Sequence, residues 1–415
     1  MSEFEKVYQQ LSKIAASRDL REALRRASRS YIESFFSKTK KVENLRKVVR
    51  AIKEFSIEHL ENLVKTTIEV MENKGISVYF AKSSEEALKI FDKIIPGGSL
   101  VVKAKSLTSE EISLNEFLLK KGCKVIETDV GEFIVQYLRS RPMHITAPAI
   151  HVKREEVAKL LEELTGEKIP AGPQVLVKKI RNILRSKYLN ADVGITGANV
   201  IDAETGSIFL IENEGNIRLV SSLSRIHVVL AGVEKIVPLL DDAFQVCKVI
   251  WRYAGYEMPS YLSIISGLSK TGDIEKNVVV GAQGPKELHV ILLDNGRINL
   301  SRDPVFKEAL YCLRCGACMY FCPIYRVLAG YFGYKYMGGI GAIWTAHIAG
   351  GVDKAAPLVY LCTLCERCKE ICPLNIDVPR MILKARQMLA QENKVPFEAF
   401  LTRKYIASMG APYRR

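Results

Sequence analysis

Eight of the chain's ten cysteines fall in two matching runs. Cys312, Cys315, Cys318 and Cys322 precede Pro323; Cys362, Cys365, Cys368 and Cys372 precede Pro373. Each run reads C-x2-C-x2-C-x3-C-P, the spacing with which bacterial-type ferredoxins hold two 4Fe–4S clusters. In such ferredoxins the fourth cysteine of each run ligates the other cluster. That crossing predicts Cys312, Cys315, Cys318 and Cys372 on one cluster, and Cys362, Cys365, Cys368 and Cys322 on the other. Zinc also binds C-x2-C pairs, but it needs only four ligands and usually takes two spaced pairs. Disulfides suit small secreted domains, whereas this chain has 415 residues and begins with the polar MSEFEKVYQQ, which is no signal peptide. The chemistry expected is therefore electron transfer. Pro323 and Pro373 fix φ and lack an N–H, which turns the chain away from each cluster. Cys123 and Cys247, outside the runs, have apolar neighbours and read as buried, inert thiols.

The elements that must carry these runs begin near residue 300. Asp303-Pro304 marks a helix start, with Asp as the cap and Pro at the first position. Flanking helices over 304–313 and 378–391 suggest the helical ferredoxin module of respiratory iron–sulfur subunits. The long segment between the runs is rich in glycine and aromatics. Tyr320, Phe321, Tyr331 and Phe332 are candidates to exclude water and tune potential, or ordinary core aromatics.

Upstream, the apolar period over 1–75 is helical. From 76 to 300, strands alternate with helices, the pattern of an α/β domain with a largely parallel sheet. Strands are expected at 76–81, 99–103, 124–127, 145–147, 193–201, 207–212, 216–221, 226–231, 277–280 and 287–293. Asn213-Glu214-Gly215 reads as a hairpin turn. The organisation predicted is a helical segment (1–75), an α/β domain (76–300) and a helical two-cluster domain (301–415).

The formal charge is +14, and two clusters of −2 each would reduce it to about +10. The excess is dispersed over Arg18, Arg21, Arg25, Arg26 and Arg29, and over Arg403, Lys404, Arg414 and Arg415. This suits solvated helix faces or an acidic partner, and lacks the aromatic-interleaved basic face of a nucleic-acid binder. No stretch reaches the roughly 20 apolar residues of a membrane span. A cytoplasmic location is expected, with any membrane docking made through a partner.

Several segments together carry a resemblance: KAKSLTSEEI (103–112), ETDVGE (127–132), HITAPAIH (144–151), ADVGITGAN (191–199), GSIFLIENEGN (206–216), GAQGP (281–285) and CPIYR (322–326). The chain resembles the lactate-utilisation iron–sulfur family, a lactate-utilisation (LUD) domain followed by two cluster runs. The chain stops at Arg415, soon after the second run, where longer members continue. The resemblance implies an electron-transfer subunit of a multi-subunit complex oxidising lactate to pyruvate. A second LUD-type protein and a cysteine-rich iron–sulfur subunit are the implied partners. It also implies a fold similar to the sugar-phosphate isomerase and CoA-transferase superfamily. The alternative is an electron relay with a non-catalytic LUD scaffold, serving another 2-hydroxy acid or a disulfide-reducing complex.

A 2-hydroxy acid needs a cation for its carboxylate, a base for its hydroxyl proton and an electron acceptor. Lys103 and Lys105, just after a strand, are candidate carboxylate clamps, with Ser106 and Thr108 as hydrogen-bonding neighbours. His144 and His151 are candidate bases. Glu127, Asp129 and Glu132 follow a strand, where open α/β sheets place ligands. Glu212 and Glu214 sit in a glycine-flanked turn similar to the setting of the CoA-transferase glutamate. Gly194, Gly197, Gly281 and Gly284 would let backbone approach a ligand, but no dinucleotide fingerprint or Walker run is present.

Overall fold

A computed structural model describes residues 3–410. Arg414 and Arg415 lie outside them. The strands are β1 (Ser77–Ala81), β2 (Leu100–Lys103), β3 (Lys124–Glu127), β4 (Val193–Thr196), β5 (Val200–Asp202), β6 (Ile208–Glu212), β7 (Ile226–Gly232), β8 (Ile236–Val237), β9 (Tyr261–Ile265), the hairpin pair β10 (Lys270–Thr271) and β11 (Val279–Val280), and β12 (Glu287–Leu293). A six-stranded sheet runs β1-β12-β7-β4-β2-β3, with every neighbour parallel. Its central strands are nearly unbroken apolar runs because both faces are covered; β7 is buried throughout.

Helix Ser84–Ile94, capped by the Ser83 hydroxyl accepting the Glu86 N–H, seats Phe91 on one face beside Leu118. On the other face, Leu161, Ile180 and Leu184 of helices Arg154–Thr165 and Pro173–Leu189 meet Val102 and Ile126. Gly194 permits the close approach of helix Asn216–Leu223: a Cβ there would lie 2.1 Å from the Val220 carbonyl oxygen. A second sheet, β8-β5-β6-β9, stands beside the first.

The N-terminal helices and the cysteine-bearing region do not stand apart from the sheets. One continuous core joins Phe35 and Val49 to Val229 and Val290, and these to Ala309, Trp344 and Leu389. Burial of such apolar surface stabilises by about 25 cal/mol per Å², so the three regions hold one another in place.

Several expected elements are corrected. Residues 216–221 are helical, within Asn216–Leu223. Glu212 makes the difference: its carboxylate accepts the N–H groups of Ile217 (2.7 Å) and Arg218 (3.2 Å), while Gly215 takes φ 77°. The turn thus starts a helix and not a hairpin. The strand expected over 193–201 is two strands, because the chain leaves the main sheet at Gly197 and enters the second. Residues 145–147 form no strand; Pro142 and Pro148 bracket a loop closed by the Met143 N–H donating to the Pro148 carbonyl (2.9 Å). The helix expected over 304–313 is the tighter 3-10 turn Phe306–Tyr311, capped by Asp303, which accepts from Val305 and Phe306. Helix Leu240–Tyr253, with Val246, Ile250 and Trp251 buried, had no counterpart in the sequence reading.

Candidate iron–sulfur centre and adjoining cavity

The two cysteine runs fold alike. Arg314 and Gly316 have φ 57° and 81°; Leu364 and Glu366, at the matching positions, have φ 57° and 62°. These left-handed turns aim backbone N–H groups at sulfur, from Arg314 to Cys312 and from Leu364 to Cys362. N–H groups also face Cys322 (from Ile324 and Tyr325) and Cys372 (from Leu374 and Ile376). An apolar hollow is lined by Cys312, Cys315, Cys318 and Cys372, with Cys368 at its edge towards the second group and Trp344 and Ile340 also on its wall. Cys322 lies instead in the field of Cys362 and Cys365, as does Cys368. All ten cysteines are free of disulfides.

Burial pushes the thiols up, Cys322 and Cys372 to about 11 and Cys368 to about 12. Thiolates in such surroundings need a strongly positive metal core beside them. Among the described residues no three His, Cys, Asp or Glu side chains converge around a single ion. A four-iron core asks for wider spacing, because each thiolate binds a different iron. The donor set, the apolar walls and the inward N–H groups all suit such a core.

The two groups differ in surroundings. Gly316 is forced to be glycine: a Cβ there would lie 2.9 Å from His144 Cε1. Its counterpart Glu366 is exposed, and so is Cys365, whereas Cys315 is buried. The first group faces inward to the α/β region and the second faces solvent. Tyr320 and Phe332 are buried; Phe321 and Tyr331 are half-buried.

The inward face meets the C-terminal ends of β2, β3 and β4. After β2, Ser106 caps helix Leu107–Glu111 by accepting the Ser109 N–H (3.4 Å). After β3, Asp129 caps helix Val130–Tyr137 by accepting the Glu132 N–H (3.0 Å). Past β4, Gly197 takes the chain so close to Ser106 that a Cβ would lie 2.9 Å from its hydroxyl. These ends form the crevice in which open α/β sheets bind ligands. The crevice holds a cavity of about 260 Å³, lined by Lys105, Asp129, Asn199, Glu214, Lys235 and Tyr256 and, on its far wall, by Arg314 and Cys315. A second cavity of about 260 Å³ lies across Lys105 and Ile145, walled by Glu132, Arg141, His144 and Lys335.

Lys105 lines both chambers. Its ammonium has no hydrogen-bond partner and stands 3.3 Å from the Glu132 carboxylate, at ion-pair distance without hydrogen-bond geometry. Burial pushes the Glu132 carboxyl up to about 7, against the pull of Lys105 and with Glu127 and Glu110 adding repulsion. Burial, with Asp129 adding to it, likewise raises Glu214 at the cavity mouth to about 7. Glu214 also accepts the Val130 N–H (3.0 Å). Burial lowers Lys235 to about 7, and the Arg314 cation adds to the shift.

Lys103 is differently placed. It is almost fully buried, donates to the Ser109 hydroxyl (3.0 Å) and pairs with Glu127 (2.8 Å) and Glu110 (3.5 Å), so its charge is taken up internally. His144 is fully buried, accepts at Nδ1 from the Thr146 N–H (3.1 Å) and stacks on Tyr320 (4.3 Å). Burial lowers it to about 3, so the ring is neutral. His151 lines neither chamber. Glu212 is the cap described above. Thr108 accepts from Arg314 Nη1 (3.3 Å). Of the four glycines only Gly197 lines a chamber; Gly194 serves packing, and Gly281 and Gly284 lie beside Ser269. Cys123 and Cys247 are buried away from both cysteine groups, and burial raises Cys247 to about 12.

Lys235 and Arg314 escaped the sequence reading. The available signals were Glu234-Lys235 interrupting an apolar run and an arginine inside the first C-x2-C loop. Arg314 donates to Glu234, which with Glu111 brackets the fully buried Arg297.

Residues 64–293 match the profile of the LUD domain, and residues 308–376 that of the 4Fe-4S dicluster domain. Lactate utilization protein B of Bacillus subtilis (strain 168) is 37% identical over 368 residues, covering 87% of this chain and 75% of that protein. Its counterpart in Bacillus licheniformis is 36% identical, with the same coverage. A solved DUF162 family protein from Deinococcus radiodurans covers 56% of this chain and 98% of its own at 15% identity and a TM-score of 0.31, too low to bear on the fold.

Proposed function

This chain belongs to the lactate utilization protein B family, a LUD domain joined to a 4Fe–4S dicluster domain, and from that premise we propose that it is the electron-transfer subunit of a multi-subunit complex oxidising lactate to pyruvate. Cys312, Cys315, Cys318 and Cys372 would hold one cluster, and Cys322, Cys362, Cys365 and Cys368 the other. Bound there, two clusters supply a pair of one-electron acceptors, the number a two-electron oxidation requires. A cysteine-rich iron–sulfur subunit and a second LUD-type protein complete the complex, which we place in the cytoplasm. The fold is read as a relative of the sugar-phosphate isomerase and CoA-transferase superfamily. Among the described residues no helix is long and apolar enough to cross a membrane.

One observation supports this reading above the others: Lys105 and Lys235 line the same cavity as Cys315. A 2-hydroxy acid bound there would lie against a cysteine of the first group. Lys105 offers its carboxylate an ammonium with no hydrogen-bond partner of its own. The oxidation gives up two electrons and two protons, and Glu214 and Glu132, both raised toward neutrality, would receive the protons, one from the hydroxyl and one from Cα, since a base works best with a pKa near the working pH. The neutral His144 ring packs the loop of Gly316 and positions it.

A second reading, an electron relay with a non-catalytic LUD scaffold, draws on Lys103, whose charge is spent on Glu127 and Glu110. That relay would serve another 2-hydroxy acid or a disulfide-reducing complex. Anaerobic visible absorption during addition of L- or D-lactate separates the readings. Bleaching by one enantiomer, abolished by Lys105→Met with iron content kept, is the expected result. Full bleaching by dithionite without any by lactate would overturn the catalytic reading and leave the relay.

A further inference from the structure

The basic residues of the N-terminal helices are not evenly solvated. Helix Arg18–Thr39 buries Leu20 and Leu24. Both enter an apolar cluster with Tyr325 and Leu328, against which Cys322 and Cys362 also pack. The outer face of the same helix carries Arg18, Arg21 and Arg25. With Arg326 they line a surface groove of about 460 Å³, whose single acid is Glu22.

Arg18 is paired with Glu22 (3.3 Å). Among the described residues, Arg21, Arg25 and Arg326 have no ion-pair partner. Arg326 stands one turn after Cys322, whose carbonyl accepts its backbone N–H (3.0 Å). Arg326 thus puts the groove within one helical turn of a cysteine of the second group. In the first group Cys315 is buried beneath the loop of His144, whereas the matching Cys365 of the second group is exposed.

We propose that this arginine groove is the docking site of an acidic, one-electron redox protein, which exchanges electrons with the second cysteine group. Three unpaired guanidinium groups lining one groove attract carboxylates, and Arg suits planar, paired contacts with them. A rim of like charge raises encounter rates and imposes a steep salt dependence. The inference rests on the cluster assignment only for its electron-transfer arm; docking is independent of lactate.

The test uses one haem protein in two charge states, native horse cytochrome c (basic) and its succinylated form (acidic). Binding to the full chain is measured by calorimetry, and reoxidation of the dithionite-reduced protein by stopped flow. The acidic form is expected to bind and react at least tenfold better, an advantage lost between about 20 and about 200 mM salt. The variant R21E/R25E/R326E should reverse the preference with iron content unchanged. A control of equal charge change on a remote exposed helix, K178E/R181E/R185E, should leave the preference intact. Equal binding of the two forms, or equal effects of the two variants, would overturn the proposal. Failure of lactate to bleach the protein would leave it untouched.

Discussion

Replacing Cys315 with serine is expected to halve the bound iron, from about eight to about four atoms per chain, and to abolish one of two electron paramagnetic resonance signals of the reduced protein. Cys315 is the buried member of the inward group and faces both the apolar hollow and the α/β cavity. Serine offers a harder, far less acidic donor in a shell with no water to help. Cys322, Cys362, Cys365 and Cys368 keep their own surroundings, so the second signal should persist. Cys372→Ser extends the test to ligation order. Because Cys372 stands in the field of Cys312 and Cys315, and Cys322 in that of Cys362 and Cys365, Cys372→Ser should remove the signal that Cys315→Ser removes, and Cys322→Ser the other. Full iron in Cys315→Ser would sink the assignment. Loss of the second signal in Cys372→Ser would sink the crossing alone. Cys123→Ser, away from both groups, should keep all the iron.

The largest loss of stability is expected from Arg297→Met. Arg297 is fully buried, donates two bonds to Glu111 (2.9 and 2.7 Å) and a third to Glu234. Tyr336 donates to Glu111, and Arg314 to the other oxygen of Glu234. Taking away the central cation leaves buried carboxylates short of a partner, which costs about 3–5 kcal/mol. Lysine should rescue little, because it cannot make the paired fork. Denaturant unfolding measures the loss; a midpoint unchanged from wild type would refute it.

The same network has a pH signature. Burial alone would raise Glu234, but the Arg297 and Arg314 cations outweigh it and hold its carboxyl down to about 2, from an ordinary 4.5. A carboxylate depressed by folding contributes stability that is present in full above its unfolded value. That contribution drains away as pH falls from about 4.5 towards about 2. The stability deficit of Arg297→Met, read by denaturant unfolding, should therefore be greatest above about pH 4.5 and shrink as pH falls towards about 2.

Much of this architecture was legible because the signals are local. The cysteine spacing names its chemistry without reference to the rest of the fold. Strands such as β3 and β12 are short apolar runs between turn residues, and the expected bounds 124–127 and 287–293 match the observed ones. The misreadings have a common origin in long-range contacts. Asn216–Leu223 is helical because of one carboxylate that caps it. The loop through His144 takes its form from Gly316, far along the chain. The cavity drew the least foresight. Lys235 ends a short helical turn after β7, and Arg314 sits inside a cysteine run; only the fold brings them to Lys105. Lys103 and Lys105 looked equivalent in sequence, yet Lys103 is the last residue of β2 and is held in a buried ion pair with Glu127, whereas Lys105 lies in the loop beyond the strand and lines both chambers.

The unequal exposure of the two cysteine turns bears on how the protein ages in air. Oxygen and chelators meet Cys365 and its open turn at the surface, whereas Cys315 lies behind the His144 loop and the sheet. On the proposed cluster assignment, damage is expected to be ordered and not random, passing through a half-loaded form that keeps the inner site. Such a form would still accept electrons but would have lost the proposed outlet, so oxidative wear would disconnect the protein from the redox partner proposed above before it blinded it to the proposed substrate.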